Sequence, residues 1–366
     1  MHTRKMWVLI AAIGMGLCGA LWAGAGQAGS SGTGKALPKP VATTLKFDRL
    51  DPGLDRIVPA GAQVEQLVTG YPWSEGPVWD GEGLYFADIM GNTIRHWTPG
   101  QEVTAFFYPS GYKGVAPYGG PEPGSNGMTE DSRGRLTVAG HAGRNVFRFE
   151  SNDGGGPMTI LADSYQGKKL NSPNDVVYKS DGSLYFTDPP YGLRTQSDDD
   201  ADKELKVNGV YRIPNATAQQ PAAEPARDKL QLLVSDLTRP NGIAFSPDEK
   251  YLYVDNSVPK KLWMRYTVKP DGTLGDPKLL YDDTADNRPG VPDGMKVDVE
   301  GNIYSAGPGG VWIFTPEGKP LGTLLIPMRV SNVAWAGADR KTLYVTGAES
   351  IYRVRLNIAG EPLEKR

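Results

Sequence analysis

The feature that most constrains the fold of this chain is a sequence block that recurs six times. Each copy contains a polar residue, a short apolar strand, a turn, and a second strand rich in Tyr, Leu and Val. The polar residue precedes the first Leu or Ile of the second strand by 9, 10, 10, 11, 10 and 11 positions. In chain order the polar residues are Glu75, Asn126, Asn174, Asn241, Asp293 and Asn332. A block that repeats in this way indicates an architecture built from one supersecondary unit.

Each block continues into a third strand, and most blocks end in a fourth apolar run. Four short strands per unit are typical of β-propeller blades. The sixth block ends after its third strand, at 351–354, whereas an extra strand at 64–68 precedes the first block. We therefore predict an all-β, six-bladed β-propeller with four-stranded blades, in which the N-terminal strand completes the last blade. Closing the ring in this way protects sheet edges.

Composition agrees with a turn-rich globular protein. The 366 residues include 46 Gly and 30 Pro, with 39% hydrophobic and 22% charged residues, which excludes a disordered chain, a coiled coil and a collagen-like repeat. The formal net charge of −3 argues against nucleic acid and acidic membrane surfaces as partners.

The N-terminus resembles a targeting segment. A basic start with Arg4 and Lys5 leads into the apolar run 6–22, and small residues follow around Ala25 and Ala28. We predict a signal peptide over 1–28, an N-terminal linker or extension over 29–60, the propeller over 61–357 and a tail over 358–366. An uncleaved membrane anchor is the alternative. Cleavage would remove Cys18, the only cysteine. The expected protein is exported, periplasmic or secreted, without disulfides and without a stable membrane partner.

The six polar residues are expected to converge. The first strand of each propeller blade lines the central channel, so equivalent positions meet around one axis. The alternative is that the Asn-Gly and Asp-Gly pairs are hairpin turns. Separate turn signals between the first and second strands, such as 180–182, favour the channel.

Carboxylates and amide carbonyls are hard oxygen donors, which suit Ca²⁺ or a similar cation. The sequence contains no H-E-x-x-H zinc motif and no G-x-S-x-G nucleophile motif. What remains is metal-assisted hydrolysis, in which one divalent cation polarises a carbonyl or phosphoryl oxygen and a carboxylate activates water.

Several motifs resemble the gluconolactonase and regucalcin-like (senescence marker protein) family, and in particular its bacterial gluconolactonase branch. The matching stretches are 74–79, 173–175, 239–247, 292–295, 309–314 and 188–192. The resemblance implies a six-bladed propeller that opens small-molecule sugar lactones. It also implies a divalent metal, expected to be Ca²⁺, at the residues that match the family's ligands: Glu75, Asn174, Asn241 and Asp293. Asp293 would be the catalytic acid/base group.

The same resemblance suggests where the substrate binds. His141 lies in a stretch similar to a His-Gly-x-Arg motif of bacterial gluconolactonase-like sequences, and with Asn126 and Asn332 it forms the expected substrate-binding set. A structural histidine is the alternative for His141. Animal members carry Arg where this chain has Ser172, so a sugar contact of that arginine is missing here.

Two other functions stay open at this stage: another metal-dependent ester or organophosphate hydrolase, and a non-catalytic propeller that binds a ligand or protein around a structural ion. Two stretches depart from the repeat. We expect 194–229, with its acidic run at 198–202, to be a solvated surface loop, and 107–125 to be either a lid or a plain connection.

Overall fold

The computed structural model describes residues 34–153, 156–221, 225 and 229–362. The predicted signal peptide and Cys18 lie outside these residues. Four elements precede the first repeat block: β1 (Lys35–Ala42), β2 (Phe47–Arg49), α1 (Leu54–Ile57) and β3 (Val64–Thr69). No helix in the described part of the chain is long and apolar enough to cross a membrane.

The first three repeat blocks form three four-stranded antiparallel sheets. Blade 1 contains β4 (Ser74–Trp79), β5 (Leu84–Asp88), β6 (Thr93–Trp97) and β7 (Thr104–Phe107). Blade 2 contains β8 (Met128–Glu130), β9 (Leu136–Ala139), the 3₁₀ turn His141–Gly143, β10 (Val146–Phe149) and β11 (Met158–Ala162). A short hairpin follows blade 2 and consists of β12 (Ser164–Tyr165) and β13 (Lys168–Lys169). Blade 3 contains β14 (Val176–Tyr178), β15 (Leu184–Asp188), β16 (Gly209–Ile213), the 3₁₀ turn Ala216–Ala218 and β17 (Gln231–Val234).

The last three blocks form the other half of the ring. Blade 4 contains β18 (Pro240–Phe245), β19 (Tyr251–Asn256), β20 (Leu262–Val268) and β21 (Leu274–Asp282). Blade 5 contains β22 (Met295–Val297), β23 (Ile303–Gly307), β24 (Gly310–Phe314) and β25 (Pro320–Leu325). Blade 6 contains β26 (Val330–Ala336), β27 (Thr342–Gly347) and β28 (Ser350–Arg355).

The N-terminal strand closes the ring, as predicted. β3 pairs antiparallel with β28, with Val68 opposite Ile351 and Val64 opposite Val354, so it supplies the fourth strand of blade 6. The first strands of the blades contact one another in a closed circuit, from β4 through β8, β14, β18, β22 and β26 back to β4. The predicted six-bladed, four-stranded architecture is confirmed.

Alternation along the strands explains how the blades pack. In β5, Leu84 and Phe86 face blade 6, whereas Tyr85 faces blade 2, because successive side chains of a strand point to opposite faces. The buried apolar residues accordingly form six clusters, one between each pair of neighbouring blades. The apolar side chains buried between neighbouring blades therefore hold the first strands, including their ends, in fixed positions around the channel.

The segment that the sequence separates from the propeller, 29–60, adds strands to it. β1 pairs with β3 and β2 pairs with β25, so blades 6 and 5 each gain a fifth, outer strand. At the other terminus, Gly360 forms a β-bridge with Asp298.

Both segments that depart from the repeat, 107–125 and 194–229, are hydrogen-bonded to the rest of the propeller. The loop 107–125 is held at Tyr112, whose carbonyl accepts a hydrogen bond from Asn92 Nδ2 at 2.8 Å, and at Tyr118, whose hydroxyl donates to the Gly192 carbonyl. Most of the acidic run is exposed, but Asp198 accepts a hydrogen bond from Arg239 at 2.7 Å, and Asp200, which is buried, accepts two from Thr195. Those two carboxylates are thus part of the folded loop, whereas the sequence predicted a solvated run.

Candidate functional site

The six polar residues of the repeat lie at one end of the central channel. They stand at or just before the start of the first strand of each blade: Glu75 in β4, Asn126 before β8, Asn174 before β14, Asn241 in β18, Asp293 before β22 and Asn332 in β26. All six are buried. The alternative that these dipeptides form hairpin turns is wrong, because the hairpin turns lie farther along, between first and second strands.

Three of the six residues carry a buried oxygen without a hydrogen-bond partner among the described residues. These atoms are the Oδ1 atoms of Asn126, Asn174 and Asn241. At Asn241 the amide nitrogen is engaged, since it donates to Ser257 Oγ at 3.1 Å, and the oxygen is left for another partner. A buried acceptor without a partner costs about 1–3 kcal/mol, so three at one place indicate that something other than the described residues completes them.

Four buried carboxylates lie within electrostatic reach of one another at the same end: Glu75, Asp175, Asp255 and Asp293. Burial raises the pKa of Glu75 to about 8, and the charge of Asp175 adds to the effect. Burial, with the charges of Glu75 and Asp255, raises the pKa of Asp293 well above its usual range. Because water no longer stabilises the ionised forms, a bound positive charge would strongly favour ionisation of these carboxylates and lower their pKa values.

The donors at this end fit a divalent cation. Among the residues that the structure describes, no three His, Cys, Asp or Glu side chains converge to hold a metal by themselves, so amide oxygens would have to take part. Ca²⁺ accepts carboxylate and amide oxygens together. The free oxygens of Asn174 and Asn241, with the carboxylates of Glu75 and Asp293, supply that combination.

Asp293 is the best placed of these carboxylates to meet a substrate. It is 8% exposed, whereas Glu75 is 1% exposed. Its Oδ1 accepts a hydrogen bond from the amide of Gly294 at 3.1 Å, which orients the carboxylate. Its carbonyl oxygen packs against Gly242, where a Cβ would lie only 2.2 Å away. Blades 4 and 5 approach so closely here that position 242 requires glycine.

The three residues expected to bind substrate lie in different environments. Asn126 has its free Oδ1 at the channel end. His141 is fully buried in the 3₁₀ turn after β9, where its Nε2 lies 2.8 Å from Glu122 Oε2 and its Nδ1 has no hydrogen-bond partner among the described residues. Asn332 donates from Nδ2 to Glu75 Oε2 at 3.0 Å. The structure therefore brings Asn332 together with a carboxylate of the site.

Ser172 anchors a turn of blade 3. Its Oγ donates to the Pro189 carbonyl at 2.5 Å and accepts from the Gly192 amide at 2.8 Å. Tyr191, within that turn, lies close to Asp293 and Ser257; burial raises the pKa of its hydroxyl to about 12, so the phenol is protonated at neutral pH. This turn therefore places a neutral hydrogen-bond donor near Asp293.

Sequence reasoning overlooked several residues of the site. Asp175 directly follows Asn174 and accepts hydrogen bonds from the amides of Val176 and Ile243, at 2.9 and 3.4 Å, so it links blades 3 and 4. Its place directly after the repeat residue Asn174 could have identified Asp175 from the sequence. Lys296, by contrast, carries no such signal. Burial raises the pKa values of Glu75 and Asp175, and the charge of Lys296 partly offsets this only because the ring places the three residues together.

The fold and the oxygen-rich channel end define a class, the six-bladed propellers with a polar site on the channel axis. The model of the SMP-30/gluconolactonase/LRE-like region matches residues 73–349, and the chain belongs to this family. It is 35% identical to a gluconolactonase of Zymomonas mobilis over 87% of this chain and 88% of that protein.

Solved structures agree. A gluconolactonase from Xanthomonas campestris is 29% identical, with a TM-score of 0.71 over 88% of this chain and 98% of that one. The calcium-binding protein regucalcin from Agrobacterium tumefaciens is 19% identical, with a TM-score of 0.57 over 79% of this chain and 91% of that one, and shares the fold.

Proposed function

We propose that this protein is a lactonase that hydrolyses sugar lactones, with one divalent cation held by Glu75, Asn174, Asn241 and Asp293. The observation that carries the proposal is the meeting of unpartnered amide oxygens with buried carboxylates at one end of the channel. The gluconolactonases among its relatives support the reaction, and the oxygen-only donor set supports Ca²⁺ as the first candidate ion.

In the reaction, a water oxygen adds to the lactone carbonyl carbon and the ring C–O bond breaks, which leaves a hydroxy acid. A divalent cation, when bound, supplies Lewis-acid polarisation of the carbonyl. Asp293, in its ionised form, accepts the proton of the attacking water. It then returns this proton to the ring oxygen as that oxygen leaves. The hydrogen bond from Gly294 keeps one carboxylate oxygen in place while the other handles the proton.

Substrate recognition is assigned to the rim of the same channel end. The free Oδ1 of Asn126 can accept a hydrogen bond from a sugar hydroxyl. His141 is placed behind Glu122, whose other oxygen accepts a hydrogen bond from Gln196 at 2.8 Å.

The test is a pH-stat assay on a panel of sugar lactones, simple esters and an organophosphate. Each turnover of lactone releases one proton, because the product acid ionises at neutral pH. Chelator-treated protein should be inactive and should regain lactone hydrolysis when Ca²⁺ or another divalent cation is restored. Hydrolysis of the organophosphate alone, or no hydrolysis of any compound by cation-loaded protein, would contradict the proposal.

We also propose that the chain is exported, because the basic start, the apolar run 6–22 and the small residues around Ala25 and Ala28 have the form of a signal peptide. The intact mass of protein recovered from the exported fraction should correspond to a chain that begins after about residue 25 to 28. A full-length mass would show that the segment is retained.

A further inference from the structure

Asn332 occupies the repeat position in blade 6 that Asn241 occupies in blade 4, but its amide is engaged at both ends. Its Oδ1 accepts from the Val333 amide at 2.8 Å, and Lys296 Nζ lies 3.4 Å from the same oxygen. Its Nδ2 donates to Glu75 Oε2 at 3.0 Å. The residue is 1% exposed, so its contacts are with the protein.

The orientation of this amide follows from chemistry as well as from position. An amide nitrogen turned toward Val333 and Lys296 would place its hydrogens against an N–H group and an ammonium group, both of them donors. The oxygen must therefore face these two donors, and the nitrogen must face the carboxylate of Glu75.

The backbone makes room for the amide in this place. Gly294 lies against Asn332, and a Cβ at position 294 would stand 1.9 Å from Asn332 Cγ. The glycine that follows Asp293 thus allows the blade 6 side chain to reach across to Glu75 of blade 1. Lys296, two residues further on, lines the cavity at the other end of the channel and reaches Asn332 from there.

We propose that Asn332, oriented by Lys296 and Val333, is a positioning residue that holds the carboxylate of Glu75 for the cation, and that it does not contact the substrate. The inference rests on the proposed cation site. Gly76 and Asn332 both donate to Oε2 of Glu75. This would leave the other oxygen, Oε1, to bind the cation. Partners of this kind contribute 10–100-fold to metal affinity in other sites.

The test replaces Asn332 by leucine, which has a similar volume and no polar atom. Calorimetric titration with CaCl₂ should show an affinity about 10–100-fold weaker than that of the wild-type protein. At saturating Ca²⁺, the KM for the lactone should stay within about twofold, because the substrate-binding atoms are unchanged. Asn302→Leu is the matched control: Asn302 is also a buried asparagine that donates to a carboxylate, Asp298 at 2.7 Å, but it lies outside the channel end. Its Ca²⁺ affinity should equal that of the wild type.

A double-mutant cycle with Glu75→Gln separates positioning from any independent role. If Asn332 acts through Glu75, adding Asn332→Leu to Glu75→Gln should weaken Ca²⁺ binding by less than about twofold further, as expected for coupled residues. Additive losses would overturn the inference, as would an unchanged Ca²⁺ affinity combined with a raised KM. If wild-type protein binds no divalent cation, the cation site itself fails; if it binds and Asn332→Leu binds equally well, only the positioning role fails. Circular dichroism melting of each variant confirms that the folded protein is compared.

Discussion

The two ends of the central channel are lined by the same six strands and differ in whether their buried polar atoms are hydrogen-bonded. At the amino-terminal ends of the first strands lie the unpartnered oxygens of Asn126, Asn174 and Asn241 together with buried carboxylates. Farther along these strands opens a cavity of about 350 Å³ with Trp79 and Trp335 in its wall. None of the residues that the structure describes around this cavity carries a buried side-chain nitrogen or oxygen without a hydrogen bond.

The difference shows which feature locates chemistry in a symmetric fold. A cavity whose buried polar side-chain atoms are all hydrogen-bonded offers volume but no atom that requires a ligand. The other end keeps acceptors that no described residue satisfies, at a cost in stability that function explains. We therefore assign the reaction to the end with the unsatisfied oxygens, although the opposite end contains a well-formed cavity.

The largest expected effect comes from Asp293→Asn. The amide keeps the shape and one oxygen but loses the charge and the basicity, so lactone turnover at saturating cation should fall by about 10²–10⁴-fold. Asp80→Asn is the matched control at the opposite end, where Asp80 accepts hydrogen bonds from Glu82 and Gly83. Its turnover should stay within about twofold. Near-parental turnover of Asp293→Asn with bound cation would leave Asp293 as a ligand only.

Asn241→Ala should act on the cation rather than on the chemical step. It removes one of the free oxygens, so the cation concentration required for half-maximal activity should rise by about 10–100-fold, with much of the activity recovered when cation is in excess. Titration of activity against Ca²⁺ measures this. A loss that excess cation cannot restore, with an unchanged cation requirement, would show that Asn241 is not a ligand.

The pH dependence of stability should differ with and without cation. Burial raises the pKa of Glu75 to about 8 and that of Asp293 well above its usual range. The cation-free folded protein then binds more protons than the unfolded chain at and above the ordinary carboxyl pKa. The stability that these two groups contribute is therefore fully present below the ordinary carboxyl pKa and is lost as pH rises through their raised pKa values. We expect the melting temperature to drop on the order of 5 °C between pH 5.5 and 8, and Ca²⁺ to restore it at pH 8.

Glu75→Gln provides the control for that dependence, since the amide does not titrate. Cation-free Glu75→Gln should lose part of the slope of melting temperature against pH. Equal slopes for the two proteins would mean that Glu75 does not contribute to the dependence.

The smallest effect on activity is expected at the opposite end of the channel. Trp335 donates from Nε1 to the Val297 carbonyl at 2.8 Å, so Trp335→Phe leaves that acceptor without its donor and should destabilise the protein by about 1–2 kcal/mol. kcat and KM for the lactone should both remain within about twofold of the wild type. A kcat/KM tenfold lower at unchanged stability would reverse our assignment of the two ends.

The fold could be predicted from the sequence because a block of a polar residue, a strand, a turn and a second strand recurs six times. The closing strand 64–69 could be found since one block lacked a fourth strand and the chain had one to spare. The fifth strands β1 and β2 could not, because an outer edge strand buries few side chains and so leaves little periodic pattern: β1 has one buried residue, Ala36.

The site was predictable in its positions but not in its partners. The repeat places Asn241 and Asn332 at equivalent positions, and nothing in the two local sequences distinguishes a free amide oxygen from one that accepts from Val333. The difference depends on Glu75 and Lys296, which belong to blades 1 and 5 and meet Asn332 only when the ring closes. The same holds for His141, whose pairing with Glu122 depends on the path of the loop 107–125.

The central claim is that the channel end that carries Glu75 and Asp293 holds the catalytic cation. Anomalous diffraction from crystals of the active protein loaded with Mn²⁺ tests it directly, since Mn²⁺ accepts the same oxygen ligands and gives a position without prior assumption. The account predicts one strong peak in contact with oxygens of Glu75, Asn174, Asn241 and Asp293. A peak in the cavity beside Trp79 and Trp335, or no peak in crystals of protein that still hydrolyses lactones, would contradict it.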